Sequence, residues 1–164
     1  MTTSKLADEF KAQGLSGRIV VPAAAFRLIL GAFDFGDPFN TVGALKHENG
    51  YLRNNDDFPS CGVAPIYLPD GVTVTKTQAA IFDTVTDHNP ILTIVFYNYL
   101  DSQTPKQISA ILGSDDSNPI QLLEDTTILH ATVDLSQNAY YAKACFKRDV
   151  GAAQRLYAMI VHYE

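Results

Sequence analysis

Hydrophobic and polar residues alternate with a period of two through most of the chain, and almost nowhere with the 3.6-residue period of a helix. Residues 73–83 (T-V-T-K-T-Q-A-A-I-F-D) show the pattern, as do 91–100, 107–112, 120–129, 131–135, 140–148 and 155–163. All are rich in β-branched and aromatic residues and bounded by turn formers, which predicts a strand in each. Residues 18–26 add another, in which Pro22 is tolerable only at an edge or a bulge. Residues 42–48 and 51–53 flank Asn49-Gly50, a pair that accepts the positive φ angles of a type I′ turn and so predicts a tight hairpin. Leu68-Pro69-Asp70-Gly71 writes a second turn between 63–67 and the strand from Val72 onward, with Pro69 presetting φ at the first central position. Ser136-Gln137-Asn138 and Asp149-Val150-Gly151 divide the C-terminal strands into an antiparallel meander.

About ten short strands and little helix predict an all-β fold, an antiparallel β-sandwich of jelly-roll-like type over residues 18–164. Residues 1–17 form a separate N-terminal arm. There Leu6 and Phe10 stand four apart, Ser4 can cap, and Asp8 and Glu9 fall in the first turn, before Gly14 and Gly17 end the helical pattern. So short an amphipathic arm is unstable alone and must dock on its own sandwich or on a neighbour's.

Two strands depart from the alternation expected of a sheet with one wet face. In 91–100 one parity carries Ile91, Val95, Tyr97 and Tyr99 and the other Leu92, Ile94, Phe96 and Leu100, and 156–161 is apolar throughout. A cover over the outer face is therefore expected, either the aromatic loop 28–41 or another subunit, with a subunit favoured. Leu6, Phe10, Phe33, Phe35 and Phe39 are the candidate assembly contacts.

Composition narrows the partners. The chain has 164 residues with 46% hydrophobic and 18% charged, enough for one domain with a core that needs no metal or disulfide framework. Twelve Lys and Arg against eighteen Asp and Glu give a net charge of −6, which repels a phosphate backbone and an anionic membrane surface alike. The longest apolar run, 91–100, is about half of a membrane-spanning helix, so no membrane insertion is expected. No signal peptide is visible in residues 1–17.

The common enzyme signatures are absent: no G-x-S-x-G elbow, no H-E-x-x-H, no Walker loop and no G-x-G-x-x-G. His47, His88, His130 and His162 are scattered, with no H-x-H pair, although His130 and His162 both fall in predicted strands and could meet around a metal. Acidic turns offer hard oxygen ligands for calcium, with Asp56 and Asp57 the best candidates beside Asp34 with Asp37, Asp83 with Asp87, and Asp115-Asp116. No cofactor is required by anything in the pattern. Cys61 and Cys145 stand 84 positions apart, which leaves open one long-range disulfide or two thiols. Cys145 shares its strand parity with Lys143 and so points away from the apolar face, where an oxidising compartment would let it pair. Among eight tyrosines, Tyr97 with Tyr99 and the adjacent Tyr140 and Tyr141 supply a candidate sugar platform in a chain without Trp.

Residues 19–26 (I-V-V-P-A-A-A-F), 64–74 (A-P-I-Y-L-P-D-G-V-T-V), Asp83 and the closing M-I-V-H-Y of 159–163 resemble a loose group of uncharacterised small bacterial proteins. The resemblance implies an all-β single domain, often secreted, with an extracellular or cell-surface location, and it implies no activity. Taken together, these features read as a non-enzymatic, self-assembling structural or surface protein that forms homo-oligomers or a filament through its arm and apolar strand faces. The alternative is a carbohydrate-binding, lectin-like sandwich whose partner is a glycan.

Overall fold

The computed structural model describes residues 16–28, 45–54, 59–84, 89–100, 105–113, 120–146 and 154–164. In chain order these hold β1 (Gly17–Pro22), a single 3-10 turn (Ala23–Ala25), β2 (Arg27–Leu28), β3 (Leu45–Glu48), β4 (Tyr51–Asn54), β5 (Ser60–Ile66) and β6 (Val74–Asp83). There follow β7 (Ile91–Asn98), β8 (Lys106–Leu112), β9 (Ile120–Asp125), β10 (Asn138–Phe146) and β11 (Gln154–Tyr163). All pairings are antiparallel, and the strands form two sheets, β3-β4-β11-β6-β9 with β1 also on β11, and β2-β5-β10-β7-β8. The predicted all-β, jelly-roll-like sandwich is the observed architecture.

Local chemistry accounts for the turns. Asn49 (φ 47°) and Gly50 (φ 85°) are both left-handed, so β3 and β4 close as the two-residue hairpin that Asn-Gly prefers. Gly71 (φ 73°) also takes a positive angle, but the turn centres on Asp70 and Gly71, one residue later than a proline at the first central position would place it. Pro22 ends β1 opposite Ala158, next to the register shift between Leu156 and Ala158 in β11, where its missing N–H removes no ladder bond from the middle of a strand. One edge of β11 is taken by β6 over almost its whole length; the other is shared end to end by β1 and, at Leu156, by β4.

Besides residues 18–26, whose strand stops at Pro22 and gives way to the 3-10 turn, two predicted strands change form. Residues 131–135 are not a strand: only Thr132 bridges to Thr73, while Val133 exchanges backbone bonds with Gly71 and Val72. The Asp134 carboxylate accepts from the Ser136 amide and hydroxyl at 2.9 and 2.6 Å, a local turn that competes with the ladder. Likewise β9 stops at Asp125, whose carboxylate accepts from Thr127 N at 2.7 Å and from Ala110 N, on the edge of β8, at 3.0 Å.

The core lies between the sheets. Leu52, Ile81, Leu156, Met159 and Val161 from the first meet Leu92, Ile94, Ile108, Ala142, Ala144 and Phe146 from the second, all buried. A buried polar bond crosses this interior, Thr77 Oγ1 on β6 to Ser109 Oγ on β8 at 2.9 Å, which pairs the two hydroxyls out of reach of solvent. Residues 1–15 of the predicted arm, with Leu6 and Phe10, lie outside the described residues, as do Phe33, Phe35 and Phe39.

Candidate functional site

The register of the five-stranded sheet fixes which side chains share its outer face, because successive residues of a strand point to opposite sides. One row runs Arg27, Val63, Lys143, Thr93 and Ala110 across all five strands. On one side of it lies the row Cys61, Cys145, Ile91 and Leu112, and on the other Pro65, Tyr141, Val95 and Gln107, followed by Ala139 and Tyr97. A cleft of about 210 Å³ opens on this face, lined by Ile91, Thr93, Val95, Pro105, Gln107, Lys143 and Cys145. Aliphatic surface, one hydroxyl, one amide and one ammonium thus converge there.

Tyr97 and Tyr141 adjoin the cleft. They are diagonal neighbours across β7 and β10, edge to face with centroids 5.6 Å apart and planes at 85°. Burial, and secondarily the Tyr141 phenol, push the Tyr97 hydroxyl up to about 12, so it remains a protonated hydrogen-bonding group throughout the neutral range. At the near end, Cys61 and Cys145 form the long-range disulfide on directly opposed positions of β5 and β10. Of the two states open for these cysteines, the bonded one is realised, and the outward parity expected of Cys145 holds.

The four tyrosines proposed as a platform do not all share one face. Tyr140 and Tyr141 are adjacent and so lie on opposite sides of the sheet. Tyr140 is 4% exposed, packs on Phe96 at 5.7 Å and accepts a 2.8 Å bond from Asp134 N, which makes it a core residue. Tyr99 lies beyond the end of β7 and is exposed. The outward pair is therefore Tyr97 with Tyr141. Lys143 and Gln107 were not singled out as ligand-binding residues from the sequence, although Tyr141, Lys143 and Cys145 share one parity and could have been grouped by it.

The other candidates separate. His130 is in a bend with φ 50°, edge-on to Phe96 at 5.6 Å, whereas His162 lies on β11 bonded to Gln78 Oε1 at 2.8 Å. Among the described residues no group of three His, Cys, Asp or Glu is placed to hold a metal. Asp83 is fully buried at the end of β6, where Gln154 Nε2 donates to its Oδ1 at 3.4 Å. Asp56 and Asp57 lie outside the described residues, and so do Asp34, Asp37, Asp87, Asp115 and Asp116.

A second aromatic group occupies the outer face of the six-stranded sheet. The Arg155 guanidinium stands 4.8 Å from the Tyr51 ring centroid and 4.7 Å from that of Phe82, and Tyr51 meets Tyr157 at 5.9 Å. The arginine stacks on one face of Tyr51 and of Phe82, a cation–π arrangement that stabilises the sheet.

No protein-family model matches the chain, and no curated protein matches it. Among solved structures it is similar to a xylan-binding module, CBM15, at 11% identity and a TM-score of 0.53 over 90% of this chain and 97% of the module. Lower likenesses include a GH26-CBM35 β-(1,4)-mannanase of Podospora anserina, with a TM-score of 0.46 at 9% identity over 90% of this chain and 28% of that one. A CBM29-2 carbohydrate-binding module gives 0.41 at 9% identity over 91% and 86%. The first of these shows the same β-sandwich fold, and the others are too remote to add to it.

Proposed function

We propose that the chain is a non-catalytic carbohydrate-binding module that takes a polysaccharide along the outer face of its five-stranded sheet. The observation that carries this is the Tyr97–Tyr141 pair set beside a cleft holding Thr93, Gln107 and Lys143. A pyranose ring has an apolar C–H face and a rim of hydroxyls. Aromatic side chains take the first and a few placed polar groups take the second, which is the composition found here. A sheet face also holds such groups more rigidly than a loop would, so little order has to be gained on binding. The fold it shares with a xylan-binding module supports the same reading. So does the disulfide, since bonds of this kind persist in oxidising compartments.

Self-assembly is the weaker reading. Its argument from the apolar residues of 91–100 that need a cover is met in part within the single chain, where Val95 is 7% exposed, while Tyr99 and Leu100 remain exposed. The test is affinity electrophoresis in gels containing xylan, mannan, cellulose derivatives or pectin, with the native protein beside Tyr97→Ala. Retardation in at least one gel, relieved by the substitution, is expected. Migration unaffected by every polysaccharide contradicts carbohydrate binding.

A further inference from the structure

We infer that Tyr67 is a second stacking position of this site, and that the ligand is an internal stretch of chain lying across the strands rather than a single terminal sugar; this rests on the carbohydrate-binding function proposed above. Tyr67 follows β5 directly. Because Ile66 is paired with Tyr140, the next step of the antiparallel register sets Tyr67 opposite Ala139, whose other neighbour is Tyr97 on β7. The alternation of burial carries on past the end of the strand. Ala64, Ile66 and Leu68 are buried while Pro65 and Tyr67 are exposed, so the Tyr67 side chain leaves the same face as Tyr141 and Tyr97. The row Tyr67, Ala139, Tyr97 thus holds a methyl group between two phenols.

A lone exposed ring is ordinary on a protein surface. This one, 83% exposed and the most exposed aromatic among the described residues, stands in the row of the tyrosine pair, and its backbone is held on both sides. Ile66 before it is in the ladder and Leu68 after it is buried. The turn that follows is tied down by Gly71 N donating to Val133 O at 2.8 Å and Leu135 N donating to Asp70 Oδ1 at 2.9 Å. A ring with no packing role is therefore presented from an ordered segment, which lowers the cost of using it for binding. Spacing decides what can use it. Two strand intervals, about 10 Å at Cα, separate Tyr67 from Tyr97. That is wider than one pyranose ring, so a single sugar on the Tyr97–Tyr141 pair does not reach Tyr67. A chain running across β7, β10 and β5 stacks on both positions and passes over Ala139, where a larger side chain would stand in its way.

The experiment is calorimetry with xylo-, manno-, cello- and galacturono-oligosaccharides, from disaccharide to hexasaccharide, on the native protein, Tyr67→Ala and Tyr67→Phe, with urea unfolding to confirm that the variants are as stable as the native chain. In at least one series the native affinity should rise about tenfold from the shortest oligosaccharide that binds to the hexasaccharide. That rise should be lost in Tyr67→Ala and kept in Tyr67→Phe, with the shortest ligand bound within about twofold by all three. Native affinity that does not rise with length overturns this inference and leaves carbohydrate binding standing. A rise that survives in Tyr67→Ala, or a Tyr67→Ala defect as large for the shortest ligand as for the hexasaccharide, overturns the assignment of a second position to Tyr67. A rise lost in Tyr67→Phe overturns stacking as its cause. If no oligosaccharide binds although a polysaccharide gel retards the native protein, this inference alone falls; if neither occurs, both fall.

Discussion

Tyr97 and Tyr141 meet edge to face at 5.6 Å across β7 and β10, although they are 44 positions apart in the sequence. Each presents its ring to the same side of the sheet, next to the polar cleft, because Tyr141 is paired with Val95 and Tyr97 with Ala139. Removing either ring takes away half of the apolar platform.

Tyr97→Ala should therefore weaken polysaccharide binding by about thirtyfold, corresponding to about 2 kcal/mol for a central aromatic contact. Titration calorimetry against whichever polymer retards the native protein measures it. Loss of affinity within twofold would remove Tyr97 from the site.

Tyr140, the next residue to Tyr141, should behave oppositely. Its hydroxyl accepts from Asp134 N inside the fold, so Tyr140→Phe is expected to lower stability by about 1–1.5 kcal/mol and to leave binding unchanged. Urea unfolding and calorimetry on the same variant separate the two effects. A binding defect at full stability would place Tyr140 on the wrong side of the sheet.

The Cys61–Cys145 disulfide closes a loop with a sequence separation of 84. Loop-closure entropy then gives the bond about 4–5 kcal/mol of stability, less whatever structure the unfolded chain retains. Replacing both cysteines by Ala should lower the urea midpoint accordingly, and the native protein should fall to the same midpoint in reductant. An unchanged midpoint in reductant would mean that the bond does not form.

His162 provides a pH test. Burial chiefly, and then Lys76 and Arg18, hold its imidazole below the usual histidine value of about 6.5. The unfolded chain therefore binds the proton more readily than the folded one. The stabilising contribution is complete above about 6.5 and is lost as pH falls through the lower folded value. His162→Gln should flatten the urea midpoint between about pH 7 and 5 relative to the native protein, and an unchanged slope would show that His162 does not supply it.

Much of the fold was legible from period and turn chemistry. β6, β7, β8, β10 and β11 match the predicted strands to within a few residues, because half-buried antiparallel strands impose their alternation directly on the sequence. The segment 131–135 failed because Asp134 bonds locally to Ser136, a competition that alternation does not report. The site was legible only in pieces. Parity within one strand groups Tyr141, Lys143 and Cys145, but the neighbours that complete the site, Thr93, Tyr97 and Gln107, come from β7 and β8. Which strand lies beside which is decided by the sandwich topology, and no local pattern encodes it. The apolar outward positions of β7 suggested a partner subunit for the same reason: the burial of Val95 within one chain depends on contacts remote in sequence.

The most direct test of a polysaccharide site on this face is amide chemical-shift mapping by nuclear magnetic resonance during titration with an oligosaccharide of the best-retained polymer. Saturable shifts should concentrate at Thr93, Val95, Tyr97, Tyr141 and Lys143, with Phe82, Arg155 and Tyr157 on the opposite sheet unmoved. Shifts centred on those three instead, or none with any oligosaccharide, would contradict it.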